Sequence, residues 1–116
     1  MDILMKISEK TGLDSLEGWD DETEKPFWRS PEPIDEPIWV YFINNGCITG
    51  KARYVGYRYE KDINIEGEEQ EGNAFILKGP IIKPSKPIEI PKDIIRGSWR
   101  WRYLTEEILN RINLDF

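Results

Sequence analysis

The clearest fold signal in this chain is a β-hairpin near its middle. Residues 38–43 read IWVYFI, a run of β-branched and aromatic side chains typical of a strand, and the sequence NNG follows at residues 44–46. Because Asn-Gly tolerates the positive φ angles of a type I′ turn, we predict that residues 47–59 return as the antiparallel partner. Gly50 and Gly56 in the returning segment indicate a bent or bulged strand, as a small barrel requires.

Shorter segments predict the remaining strands. Residues 27–29 and 74–77 combine aromatic and aliphatic side chains, and the second segment ends at Gly79-Pro80. Residues 88–91 alternate apolar and polar positions, but proline cannot donate to a ladder, so we place them at a sheet edge or in an extended surface path. The acidic residues 60–72 are predicted to form a solvated loop and not a calcium site, because they lack the spacing of an EF-hand.

The strictest alternation in the chain lies in residues 96–103, RGSWRWRY. A strand directs alternate side chains to opposite faces. One face would carry Trp99, Trp101 and Tyr103, and the other Arg100 and Arg102. The aromatic face is either core or the lining of a cleft, and the arginines form a basic stripe in both cases.

Helices are predicted at the two ends of the chain. Residues 2–10 place apolar side chains on one helical face, and Gly12 stands where a C-terminal cap is expected. Thr105 is a candidate N-cap for a closing helix of about two turns with an apolar stripe. We divide the chain into residues 1–36, an acidic helix and a proline-punctuated arm, and residues 37–116, a β-rich core with the closing helix.

The absence of histidine excludes several kinds of site. The chain contains no histidine and one cysteine, Cys47, so Ser-His-Asp and Cys-His catalysis, the commonest zinc ligand and an intrachain disulfide are all excluded. We expect no cofactor and no metal. Without an apolar run of ~20 residues or a signal peptide, we expect no membrane association and a cytoplasmic location.

Charge is distributed unevenly along the chain. The net charge is −6, but residues 1–36 carry eleven acids and four bases, whereas residues 37–116 carry eleven acids and twelve bases. Residues 73–105 hold seven bases and two acids, a local charge of +5 that could face a phosphate backbone. The alternative is that these bases pair with the acidic first third. The seven bases are Lys78, Lys83, Lys86, Lys92, Arg96, Arg100 and Arg102.

The order of these motifs resembles the second half of PUA-like superfamily domains, most closely the ASCH and EVE branches. The shared features are the strand and Asn-Gly hairpin, the glycine-bearing strand, residues 79–88 (GPIIKPSKPI) and residues 97–103 (GSWRWRY). The resemblance covers about residues 37–104 and implies an α+β fold, a small mixed β-barrel with short N- and C-terminal helices, and a cleft that takes RNA or a modified base. The Gly-x-Lys-x-x-Glu-x-Arg signature of many ASCH domains has no counterpart in the first third, so the hydrolase activity of some ASCH proteins is not implied.

Three functions compete. The first is a non-catalytic RNA or modified-base binding module, in which aromatic rings stack on bases for ~1–3 kcal/mol each and cations meet phosphate. The second is a protein-interaction or regulatory domain that uses residues 1–36, and the third is a small nucleoside hydrolase that uses Lys51 or Tyr54 with Glu89. The candidate nucleic-acid-binding residues are Trp28, Lys51, Trp99, Arg100, Trp101 and Arg102.

Overall fold

The computed structural model describes residues 1–7, 16, 18–29, 31–65 and 68–116, and it describes residues 28, 29, 62, 64, 65 and 68–70 by their backbone alone. Most of the described chain is β-strand, with two helices of one turn each. The strands are β1 (Ile3–Lys6), β2 (Glu24–Arg29), β3 (Trp39–Asn44), β4 (Cys47–Ile65), β5 (Glu68–Ile82), β6 (Ile88–Glu89) and β7 (Trp101–Tyr103), and the helices are α1 (Lys92–Ile95) and α2 (Glu106–Leu109). Neither described helix has the length or the apolar run needed to cross a membrane.

These seven strands form one mixed sheet. Its order is β2-β5-β4-β3-β1-β7, and β6 pairs with the start of β4. The pairing of β1 with β3 is parallel, and the other pairings are antiparallel. The described strands do not close on themselves, so the predicted α+β class holds at the level of a mixed sheet with short helices and the predicted barrel is not confirmed.

The predicted hairpin is confirmed. Asn45 and Gly46 have φ angles of 51° and 77°, the two positive values that a type I′ turn requires, and β3 pairs with β4 on either side of them. The register shifts between Phe42 and Ile43, opposite Gly50. A Cβ atom at Gly50 would lie 2.8 Å from the Cδ1 atom of Ile81, so a side chain at this position would displace Ile81.

The N-terminal helix predicted over residues 2–10 is wrong, because Ile3–Lys6 is a strand inside the sheet. β1 lies between β3 and β7, with Ile3 opposite both Val40 and Tyr103. Its three apolar residues are fully buried, so both faces of β1 are covered, and a continuous apolar run of this length is also typical of a strand with neighbours on both sides. The first 36 residues thus supply β1 and β2 to the same sheet as the rest of the chain. Gly12, the expected cap, lies outside the described residues.

The loop predicted over residues 60–72 is also wrong. β4 continues to Ile65 and β5 begins at Glu68, with Tyr59 opposite Asn73 and Ile63 opposite Gln70. Ile63 is 1% exposed and packs with Ala74 and Ile76, so one apolar residue anchors a segment whose composition is otherwise that of a loop.

The strand end predicted at Gly79-Pro80 is wrong, because β5 continues through these two residues. The peptide bond between these residues is cis, and the strand runs on to Ile82. Residues 19–23 of the acidic arm lie against this point: the Ile81 N–H donates to the Trp19 carbonyl at 2.9 Å, and the Gly79 N–H donates to the Thr23 carbonyl at 3.1 Å. The Trp19 ring is buried and stacks on Phe27 at 5.7 Å between ring centroids, so this part of the arm belongs to the core.

The sheet has two apolar faces. We call the first the inner face; its core residues include Ile3, Met5, Val40, Phe42, Ala52, Tyr54, Phe75 and Leu77. The second, the outer face, is built on Leu4, Tyr41, Ile43 and Ile48, and is covered by Ile88, Ile90, Ile94, Leu104 and Ile108. Ile94 and Ile108 come from α1 and α2, so both helices pack on the outer face. The predicted N-cap of α2 is confirmed, since Thr105 Oγ1 accepts from the Ile108 N–H at 3.4 Å, but the helix has one turn where two were expected.

Candidate nucleic-acid interface

The six candidate residues are distributed over several places in the fold. Lys51 lies on the outer face of β4, opposite Tyr41. Trp99 and Arg102 lie beside the end of β1, whereas Trp101 belongs to the inner face. Arg100 is exposed between these two sets, and Trp28 lies in β2 with its side chain outside the described part of the structure. The six candidates are therefore not gathered in one cleft, although four of them are consecutive in the sequence.

Lys51 stands among aromatic rings at one end of the outer face. Its Nζ atom lies 4.4 Å from the Trp39 ring centroid, 4.7 Å from that of Phe116 and 5.6 Å from that of Tyr41. The ladder explains this placement, because Lys51 is the cross-strand partner of Tyr41, and Arg53 is the partner of Trp39. Cation–π contacts of this kind hold the ammonium group at the surface while its stem covers apolar rings.

A depression of about 330 Å³ adjoins Trp39 on the same face, between β4 and the Gly79-Pro80 step of β5. Arg53 and Lys78 both line it, and they are also direct cross-strand partners in the β4–β5 ladder. Like charges directly opposite each other on one face of a sheet are destabilising, and among the described residues neither cation forms an ion pair. The other lining residues are Glu22, Trp39, Val55, Gly79, Pro80 and Ile82.

We call this region the Trp39 surface: Trp39, Lys51, Arg53, Val55, Lys78 and Ile82. Arg53 is exposed, and Val55 and Ile82 are 39% and 38% exposed, so apolar and cationic groups alternate over an open part of the sheet. Exposed apolar side chains beside cations, with Glu22 as the carboxylate that lines the depression, form a surface suited to a ligand that is both flat and anionic.

Trp99, Lys6 and Arg102 form a second basic and aromatic cluster, at the Lys6 end of β1. The Nζ atom of Lys6 lies 4.1 Å from the Trp99 ring centroid and the guanidinium carbon of Arg102 lies 5.6 Å from it. Lys6 also donates to the Gly97 carbonyl at 3.0 Å, and the Trp99 Nε1–H donates to the Arg96 carbonyl at 3.0 Å. Partial burial lowers the pKa of Lys6. These contacts hold the turn before β7 and occupy the ring, which makes Trp99 part of the packing of that turn.

The predicted shared face of Trp99, Trp101 and Tyr103 is wrong. Trp101 and Tyr103 pack on the inner face, whereas Trp99 packs on the outer face. The alternation holds only within β7, because Gly97, with a φ of 104°, turns the chain before the strand begins. Both tryptophans are half-buried, so neither of the two sequence-based alternatives, core or cleft, describes the segment as a whole.

Trp39, Arg53 and Lys78 are the functional candidates that sequence reasoning did not bring together. Trp39 reads as core from its strand, and Lys78 as one member of a basic stretch. The missing signal is a bulge in β4 at Thr49: Ile48 faces Ile43 on the outer face, and after this one extra residue Gly50 faces Phe42 on the inner face. Simple alternation from the turn would put Lys51 and Arg53 on the face opposite Ile48, whereas the bulge puts them on the same face.

The lysines at the start of the basic stretch form no ion pair with the acidic first third in the described part of the chain. The ion pairs there join Met1 to Asp35, Arg58 to Glu24 and Glu60, and Arg111 to Asp93. Lys78, Lys83 and Lys86 belong to none of them. These three lysines are therefore not held in ion pairs by the described acids of the arm, although Glu24 stands opposite Lys78 in the β2–β5 ladder and Glu22 lines the depression beside it.

The residues of the hydrolase hypothesis are separated by the fold. Lys51 lies on the outer face and Tyr54 on the inner face, and Glu89 pairs with Cys47 beside the hairpin turn. Burial, reinforced by Glu36 and Glu32, raises the pKa of Tyr54 to about 12, so its phenol stays protonated at neutral pH. No group of three or more acidic or cysteine side chains in the described residues is arranged to hold a metal ion.

The chain matches no protein-family model, and comparisons with curated proteins and with solved structures find no match either. The resemblance to PUA-like domains stays a prediction from the order of the motifs.

Proposed function

We propose that this protein binds single-stranded nucleic acid, RNA first among the candidates, without catalysing a reaction, and that the Trp39 surface is the binding site. The observation that carries the proposal is the cross-strand pair of Arg53 and Lys78, two cations on the wall of one depression without an ion-pair partner among the described residues.

A phosphate group between these two cations would convert a repulsive pair into an attractive one. In the free protein Glu24, the partner of Lys78 on β2, offsets part of the repulsion between the two cations, but it forms its ion pair with Arg58 and not with Lys78. A phosphodiester accepts from both side chains at once, and arginine offers it the bidentate geometry that such oxygens favour. Lys51, held beside Trp39, extends the cationic surface along β4.

The apolar part of the Trp39 surface suits a nucleobase. Trp39 forms one wall of the depression, and Val55 and Ile82 expose aliphatic surface beside it. A base stacked on an aromatic ring contributes ~1–3 kcal/mol without regard to its hydrogen-bonding edge. The volume of about 330 Å³ lies at the lower end of the ~300–1,000 Å³ typical of small-ligand pockets, which favours one splayed base and not a duplex.

Fluorescence anisotropy with a labelled single-stranded RNA, measured at 50 and 200 mM salt, tests the proposal, and Arg53→Ala with Lys78→Ala is the decisive variant. We expect affinity to fall about tenfold or more, and the negative slope of log K against log salt to become shallower by about 0.7, since both cations share one phosphate and each phosphate contact on a single strand contributes ~0.7. The matched control is Lys86→Ala with Lys92→Ala, which removes the same charge from exposed positions away from the depression. Equal loss in both double variants would indicate a general charge effect and would contradict the assigned site.

A second pair of variants separates this site from the one predicted by sequence alone. Arg100→Ala with Arg102→Ala removes the two arginines of the predicted basic stripe, one just before β7 and one within it, and leaves the Trp39 surface intact. We expect little change in RNA affinity. A loss larger than that of Arg53→Ala with Lys78→Ala would move the interface to the Trp99 end of the sheet.

A further inference from the structure

Five aromatic rings meet on the inner face of the sheet, where β4, β5 and β7 come together. Phe75 lies at the base of the group and is fully buried, with Trp101 at 5.3 Å, Tyr54 at 5.9 Å and Tyr57 at 6.0 Å between ring centroids. The rings of Trp101 and Tyr103 are 5.4 Å apart and meet at 88°. Because Tyr57, Trp101 and Tyr103 are only half-buried, the group has a closed base and partly open walls.

An acidic segment borders these rings. The Asp35 backbone N–H donates to the Tyr103 hydroxyl at 3.0 Å, which fastens residues 32–36 beside β7. Glu32 and Glu36 of that segment are exposed, and neither forms an ion pair with a described residue. Burial is the main cause that raises the pKa of Tyr54 and of Tyr57. The negative charges of Glu36 and Glu32 raise the pKa of Tyr54 further, and that of Glu32 raises the pKa of Tyr57.

Tyr54 is more deeply buried than Tyr57 and Tyr103. Its side chain is 7% exposed, yet no described residue forms a hydrogen bond with the hydroxyl. Since the described residues contain no fully buried polar side-chain atom without a partner, this oxygen keeps contact with solvent. The border between the packed rings and solvent therefore runs through the three tyrosines and Trp101.

We propose that this aromatic and acidic group binds an organic ammonium group, quaternary or methylated, and call it the inner-face cage: Tyr54, Tyr57, Trp101, Tyr103, Glu32 and Glu36. The faces of aromatic rings attract cations, and methylated ammonium groups are recognised by groups of such rings. The exposed carboxylates of Glu32 and Glu36 complement the charge of an ammonium group and would repel a phosphate. The cage is thus independent of the Trp39 surface, which lies on the other face of the sheet and has the opposite charge.

Titration with choline and with 3,3-dimethylbutan-1-ol, its uncharged carbon analogue, tests the charge requirement directly. The two compounds have nearly the same shape and volume, so a difference in affinity reports on the positive charge and its attraction to the rings and carboxylates. Following the chemical shifts of the indole N–H groups, we expect choline to perturb the Trp101 signal and to bind at least about tenfold more tightly than the analogue. Equal binding of the two compounds, or no binding of any ammonium probe, would overturn the proposal.

Variants locate the site on the exposed acids, which can change without loss of the fold. Glu32→Gln with Glu36→Gln is expected to weaken choline binding about five- to tenfold. The matched control, Glu106→Gln with Glu107→Gln, neutralises two exposed acids on α2 and is expected to leave binding unchanged. Trp101→Phe removes the larger wall while preserving the contact with Phe75, and a circular dichroism spectrum equal to the parent's shows that the sheet is retained.

Two ligand sources share this chemistry, a free ammonium metabolite and a methylated lysine side chain. Parallel titrations with choline and with a short trimethyllysine peptide, each against its uncharged or unmethylated counterpart, separate them. Tighter binding of either charged, methylated probe supports the cage and identifies the source. Unchanged affinity in Glu32→Gln with Glu36→Gln would contradict it, whatever the result for nucleic acid.

Discussion

The two faces of the sheet use aromatic residues in opposite ways. On the inner face the rings of Phe27, Phe42 and Phe75 are packed against other rings and are almost completely buried. On the outer face the helices cover only part of the sheet, and the uncovered part carries Trp39 with cations over and beside it. One strand, β3, supplies both environments, because Phe42 and Trp39 point to opposite faces.

The contrast shows why residue type alone does not identify a binding site in this chain. A tryptophan is as consistent with a core as with a cleft, and five tryptophans give five ambiguous signals. What distinguishes them is the neighbouring charge. The Trp39 surface brings two cations face to face, whereas the rings at the open side of the inner face border two carboxylates. The two faces are therefore expected to respond differently to substitution, pH and ligand.

The largest expected effect comes from truncating the inner face. Phe42 is fully buried and lies 5.4 Å from Phe27 between ring centroids, so Phe42→Ala should lower the free energy of unfolding by about 3–5 kcal/mol. Trp39→Ala, three residues earlier on the same strand but half-buried on the outer face, should cost about 1–2 kcal/mol. Urea denaturation followed by circular dichroism measures both. A Trp39 variant as unstable as the Phe42 variant would make Trp39 a core residue.

A smaller effect is expected where the acidic arm meets β5. A Cβ atom at Gly79 would collide with the Trp19 indole and the Asp21 carbonyl, so Gly79→Ala should cost about 2–3 kcal/mol. Gly56→Ala is the matched control, since a Cβ atom there meets nothing within 4 Å, and its stability should stay within about 0.5 kcal/mol of the parent. Thermal unfolding of the two variants decides whether the arm is packed as tightly as the contact implies.

The pH dependence of stability should follow the buried phenols. The pKa of Tyr54 is raised from 10.0 to about 12 in the folded protein, so folding favours the neutral phenol. That contribution is fully present below pH 10 and is lost as the pH rises from 10 towards about 12. The urea midpoint should decline over this range, and Tyr54→Phe should flatten the decline. Tyr41→Phe on the outer face provides the comparison, because burial and Asp2 raise the pKa of Tyr41 in the same direction.

The smallest effect is expected in the helix that covers the outer face. The Thr105 hydroxyl accepts a long hydrogen bond of 3.4 Å from the Ile108 N–H, so Thr105→Ala should cost about 0.5–1 kcal/mol. Thr105→Ser preserves the acceptor and should restore most of the loss. If Thr105→Ala proved as destabilising as Gly79→Ala, α2 would contribute more to the outer face than its single turn indicates.

Sequence reasoning performed best where a local signal had one meaning. The NNG turn between β3 and β4 has the predicted positive φ angles, and the cap of α2 has the predicted hydrogen bond. It failed where a pattern had two meanings. Ile3–Lys6 is compatible with a helix and with a buried strand, and only the presence of β3 and β7 on either side makes the strand the stable solution.

The candidate site depended still more on distant contacts. The position of Lys51 in the returning strand marks it as a candidate, but its aromatic neighbour Phe116 is the last residue of the sequence. Arg53 and Lys78 are separated by a long hairpin and meet only because β4 and β5 pair with several register shifts. No periodicity within either segment indicates that these two charges face each other.

The sequence by itself determined the chemistry available to this protein: no histidine, one cysteine, many tryptophans and an uneven charge. It also determined the hairpin, because Asn45 and Gly46 adopt positive φ angles that most residues resist. Only the tertiary structure decided which side chains share a face. A bulge at Thr49 reverses the side-chain alternation of β4, and a change of one residue in register moves the side chains that follow, as far as the next register shift, to the other side of the sheet.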